Sequence, residues 1–97
     1  MAAVDVRCDG SPADGWVCTV VIRDRDAVTS THRVRVGAED LDRLAPDVTD
    51  PTRLVEASFG FLLEREPPGA ILRSFELMEI ARYFPGYEDE IRRRGHP

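Results

Sequence analysis

Lysine, asparagine and glutamine are absent from these 97 residues, and all 13 basic residues are arginine. The three missing residue types have AT-rich codons, whereas Ala, Arg, Asp, Gly, Pro and Val are plentiful. A GC-rich bacterial genome therefore accounts for the arginines before any phosphate-binding role is needed. No apolar run approaches the ~20 residues of a membrane span, so no membrane association is expected. Cysteine is scarce: Cys8 and Cys18 are too few for a disulfide-rich scaffold, and their nine intervening residues match no zinc pattern. Both fall in apolar strand phases, where they are expected as buried, reduced, hydrophobe-like side chains. A glycine-rich phosphate loop, a nucleophile elbow and a zinc signature are all missing, so neither cofactor nor metal is expected. The net charge of −5 argues against broad affinity for nucleic acid or anionic lipid. The first residues lack a basic and an apolar segment of signal-peptide type, so a cytoplasmic location is the expectation.

Aromatic residues are also scarce where strands are expected. Six of the seven lie after residue 58, and only Trp16 precedes them. The front of the chain instead alternates small apolar residues with charged ones. Val4, Val6 and Cys8 alternate with Asp5, Arg7 and Asp9, Trp16 to Arg23 is β-branched without a breaker, and Val28 to Val36 gives a third strand. In that third strand Val28, Ser30, His32, Val34 and Val36 share the inward phase. Turn-rich Asp9 to Gly15 and Asp24 to Ala27 join the strands. These short connections predict an antiparallel meander with one wet face.

Helices are expected in the remainder. Leu41 and Leu44 share one face of a short helix over 38–45, with Glu39 and Asp40 near its positive end. Asp50 as N-cap and Pro51 as first helical residue open a helix running to about Glu66, with Leu54, Val55, Phe59, Leu62 and Leu63 on its apolar face and Phe61 at the margin. Ser74 is read as the cap of a helix from Phe75 to Phe84. Glu88, Asp89 and Glu90 early, and Arg92, Arg93 and Arg94 late, suit the dipole of a last helix. Whether residues 75–94 form one kinked helix or two is left open. The expectation is a single α+β domain over 1–97, with a three-stranded antiparallel meander (1–36), three to four helices packed on one face of the sheet (37–94) and a frayed tail (95–97).

Three functional readings follow. The first is a small non-enzymatic domain acting by protein–protein contact or self-association, with Phe61, Tyr83 and Tyr87 as partner-binding candidates left over after core packing. The second is a nucleic-acid-binding or regulatory module. It would use Arg7, Arg23, Arg33 and Arg35, which share the outward strand phase with Thr19, Thr29 and Thr31. That face offers no aromatic platform for base stacking, so nucleic acid is the weaker partner class. The third is a hydrolase or transferase using His32 as general base, with Ser30 two residues away on the same face or a cysteine as nucleophile.

Residues 54–66 (Leu54-Val55-Glu56-Ala57-Ser58-Phe59-Gly60-Phe61-Leu62-Leu63-Glu64-Arg65-Glu66), with Ile71 to Phe75 and Tyr83 to Tyr87, resemble a group of small hypothetical proteins of GC-rich bacteria. No activity accompanies that resemblance. The front half is similar in pattern to the small sheet domains of antitoxin-type proteins, which implies a regulatory module.

Overall fold

Alternation of apolar and charged residues builds three long strands, β1 (Ala2–Ser11), β2 (Gly15–Asp24) and β3 (Ala27–Val36). The computed structural model describes residues 2–94, so the tail expected to fray lies outside the described residues. The first hairpin closes with Ser11 opposite Gly15 and Cys8 opposite Cys18. Gly10 (φ 147°) and Gly15 (φ 80°) carry the backbone of this turn. A Cβ on Gly10 would lie 2.1 Å from the Gly15 carbonyl oxygen, so only glycine fits there.

The sheet has four strands rather than the three expected. Ser74–Glu76 is β4, which pairs parallel with β3 and completes the order β1-β2-β3-β4. Arg33 N–H donates to the Arg73 carbonyl at 2.7 Å, and Leu77 N–H donates to the Arg35 carbonyl at 2.9 Å. Ser74 is therefore a strand residue, which corrects the reading of it as a helix cap. With Phe75 as its one buried residue, this strand has too little alternation to announce itself.

A register shift near Ile22 also displaces one expected core residue. Ile22 pairs with Ser30 while Arg23 pairs with Val28, so Thr29 is the extra residue on β3. Val28 thereby joins the Arg23 face and is exposed rather than inward.

The helices cover one face of this mixed sheet, giving an α+β fold. Helix α1 (Ala38–Leu44) buries Leu41 and Leu44, and α2 (Thr52–Leu63) buries Leu54, Val55, Ser58, Phe59, Phe61 and Leu62. The helix starts one residue later than expected, with Pro51 rather than Asp50 at the N-cap, but the Asp50 carboxylate still accepts from the Thr52 N–H at 2.8 Å and from its hydroxyl at 2.6 Å, which satisfies the first N–H of α2. A 3₁₀ turn (Pro68–Ala70) leads to β4. Residues 79–94 then form two helices, α3 (Glu79–Tyr83) and α4 (Tyr87–Arg94), separated by Phe84-Pro85-Gly86. The core combines Trp16, Cys18, Val20, Ile22, Val34 and Val36 of the sheet with the buried helical side chains. Among the described residues, no helix is long and apolar enough to cross a membrane.

Candidate functional site

Three places bear on the expected functions. The first is the expected Ser30–His32 pair. Its members do meet: Ser30 Oγ lies 2.8 Å from His32 Nε2, and His32 Nδ1 lies 2.7 Å from the Leu72 carbonyl oxygen. A carbonyl only accepts, so Nδ1–H is the donor to Leu72, and the Ser30 hydroxyl takes up the hydrogen-bonding position of Nε2. His32 is 1% exposed and Ser30 8%. The Phe59 ring lies 5.3 Å from the imidazole centroid to centroid. A general base must reach a proton on an accessible nucleophile or substrate. Here the imidazole instead ties the segment preceding β4 to the sheet. The burial removes the accessibility on which the nucleophilic reading relied.

The two cysteines depart further from expectation. Cys8 and Cys18 form a disulfide, with Cα atoms 4.0 Å apart, and neither is a free thiol. In antiparallel sheets, directly opposed residues lie ~4.5 Å apart at non-hydrogen-bonded sites and ~5.5 Å apart at hydrogen-bonded ones. Cys8 thus occupies a non-hydrogen-bonded site. Its side chain is close enough to the opposite strand for bridging, so the pair is oxidised rather than reduced as expected.

The second place is the outward sheet face. Arg7 pairs with Thr19 across one ladder and Thr19 with Arg33 across the next, which brings Arg7, Arg33 and Arg35 around Thr19 and Val17. Arg23 is also on this face but is neutralised by Asp5 at 2.9 Å. Asp9 lies in the row of Val17 and Arg35, with Glu76 opposite Arg35 on β4. The surface is one of mixed charge, and Trp16 is buried on the other side.

The third place holds the aromatic candidates. Phe61 and Tyr87 are core residues at 1% and 0% exposure, which corrects their reading as surface left for a partner. The Phe61 ring meets Phe84 at 5.8 Å and Tyr87 at 5.4 Å, and the Arg65 guanidinium covers it at 3.6 Å. The Tyr87 hydroxyl lies 2.7 Å from Ser58 Oγ, which itself donates to the Leu54 carbonyl. Burial pushes the Tyr87 phenol well above its ordinary range. Tyr83 remains exposed, as does Leu72, and both line an apolar hollow of about 200 Å³ with Ile71, Phe75 and Phe84.

The sequence reading missed a further feature, the outer edge of β1. No backbone bond outside the β1–β2 ladder involves residues 2–11, so the edge of this ten-residue strand is open among the described residues. The uninterrupted alternation from Ala3 to Asp9 was its signal, but sheet order decides which strand is left at the edge. The expected run of arginines in α4 is neutralised locally. Arg93 and Arg94 both contact Glu90, Arg94 also reaches Glu64 at 2.6 Å, and Arg92 faces Glu88. Among the described residues, no cluster of His, Cys, Asp and Glu is arranged to hold a metal ion.

No protein-family profile matches this chain, and no curated protein or solved structure matches it.

Proposed function

We propose that this domain works by protein–protein contact, through the open edge of its sheet. The observation that carries this reading is β1: ten residues long, without proline, and with outward backbone groups that have no partner among the described residues. Long unprotected edges pair readily with another strand, and proteins that do not use them usually block them. Exposed Tyr83 and Leu72 add apolar surface elsewhere without naming what would cover it. The arginine face supports nucleic-acid binding less well, because Asp5, Asp9 and Glu76 interleave with Arg7, Arg23, Arg33 and Arg35. The disulfide favours an oxidising compartment over the expected cytoplasm, since cytosolic thiols are kept reduced.

The test compares wild type with Val6→Pro by light scattering over a range of concentrations, at low and high salt, with absorbance reporting any copurifying nucleic acid. Proline is tolerated on an edge strand where the missing N–H faced solvent. Salt-resistant association, free of nucleic acid and abolished by Val6→Pro, is the expected result. A monomer that binds an oligonucleotide, with affinity falling steeply with salt, would transfer the function to the arginine face.

A further inference from the structure

We infer that the occupant of the β1 edge is the β1 edge of a second copy of this chain, paired antiparallel about Val6. The inference rests on the edge-binding reading above and adds the partner and the register.

Because Cys8 occupies a non-hydrogen-bonded site against Cys18, its own N–H and C=O point away from β2. Backbone direction alternates along a strand, so Val4 and Val6 also turn their N–H and C=O outward, while Ala3, Asp5, Arg7 and Asp9 bond to β2. An added strand must therefore bond to Val4, Val6 and Cys8. The side chains of these three residues lie on the helix-covered face and are only partly buried. The charged residues between them lie on the wet face.

A two-fold axis restricts the pairing to a few registers. Centring on Asp5 sets Asp5 against its own copy, and centring on Arg7 sets Arg7 against its own copy. Both oppose like charges on directly paired residues. Centring on Cys8 runs the ladder into Gly10, whose φ of 147° departs from regular strand geometry although it stays paired with Trp16. Centring on Val4 leaves little strand to pair. Centring on Val6 uses the regular stretch from Ala3 to Asp9 and places Asp5 of each chain opposite Arg7 of the other. Arg7 makes no ion pair within its own chain among the described residues, and Asp5 would lie between its own Arg23 and the incoming Arg7. On the helix-covered face Val6 meets its copy and Val4 meets Cys8 of the other chain.

The flank of the edge fits the same occupant. A groove of about 580 Å³ between β1 and the end of α2 is lined by Val4, Gly60, Leu63 and Pro67 together with the charged side chains of residues 64–66. The monomer does not require glycine at position 60, since an added Cβ would meet only Arg94 Nη1 at 3.6 Å.

The experiment is sedimentation velocity on the full chain over a wide concentration range, with circular dichroism confirming that each variant is folded. Wild type is expected to form a dimer. Arg7→Asp places Asp5 against a second carboxylate twice per dimer and should weaken association about tenfold or more. The double exchange Asp5→Arg with Arg7→Asp restores opposite charges only in the register centred on Val6, and should restore the dimer. A wild type that stays monomeric at every concentration overturns the inference, and leaves the edge reading to a partner strand other than a second copy. Association lost in Val6→Pro but unchanged in Arg7→Asp overturns this register and leaves the edge reading standing. Association unchanged in both variants places the contact elsewhere and overturns both.

Discussion

Phe61 and Tyr87 show how little a single aromatic residue reveals about its surroundings. Both looked like surplus to one amphipathic face, because position along a helix says which side a residue takes and nothing about what else covers that side. The later helices fold back over α2 and enclose Phe61 between Phe84, Tyr87 and Arg65. Truncating a core phenylalanine removes transfer free energy and leaves a cavity, so Phe61→Ala should cost about 3–5 kcal/mol. That is a large share of the ~5–15 kcal/mol typical of a whole domain. Tyr87→Phe is the milder comparison. It deletes one hydrogen bond while Ser58 keeps its bond to the Leu54 carbonyl, so the cost should be nearer ~1 kcal/mol. Urea unfolding of both variants measures the contrast. A Phe61→Ala cost no larger than that of Tyr87→Phe would contradict the burial described for Phe61. His32 gives the same lesson with the opposite outcome. Its inward strand phase was legible, and its contact with Ser30 followed from their spacing. Its second partner, the Leu72 carbonyl, lies 40 residues away, beyond what local pattern reports.

Strands were legible to the extent that alternation marked them. The hairpin register of Cys8 with Cys18 follows from turn placement, because Asp9 to Gly15 is dense in turn residues. The bond between the two sulfurs does not follow, since pattern cannot distinguish hydrogen-bonded from non-hydrogen-bonded sites. β4 escaped notice because three residues give no period to read, and the bulge at Thr29 escaped because one extra residue leaves composition unchanged. The disulfide has a direct consequence for the hairpin. Closing so short a loop restricts the unfolded chain, which should stabilise the fold by about 2–3 kcal/mol. Thiol titration of the unfolded, unreduced protein should find no free cysteine. Reduction, or the Cys8→Ser/Cys18→Ser variant, should lower the melting temperature. An unchanged melting temperature on reduction would show that the β1–β2 ladder gains nothing from the cross-link.

Taken as a whole, the molecule follows its sequence in class and layering. The three long strands precede the helices, with only the short β4 set among them, and the helices cover one sheet face, because the apolar residues of the front half are buried by the aromatic residues of the back half. The open edge was not legible, since it depends on where β4 docks. Whole-molecule electrostatics give a further prediction, a stability window closed at both ends. At the acid end, Glu64 is held below its ordinary 4.5 by Arg94, and Glu90 below the same value by Arg93 and then Arg94. Hydrogen bonds from Thr52 hold Asp50 below 3.8. Carboxyls depressed in the folded state bind protons more readily in the unfolded chain, so their contribution is complete above their ordinary values and disappears as pH falls through the depressed ones. These groups are exposed, so added salt should shrink the effect. At the alkaline end the sign reverses. Tyr87, raised above 10.0 by burial, keeps its proton in the fold while the unfolded chain loses it, so its contribution is complete below about pH 10 and is lost above. Melting temperature against pH should therefore be flat near neutrality and fall at both extremes. Tyr87→Phe should remove part of the alkaline fall and leave the acid fall in place. An alkaline limb identical in wild type and Tyr87→Phe would show that this phenol is not the group being uncovered.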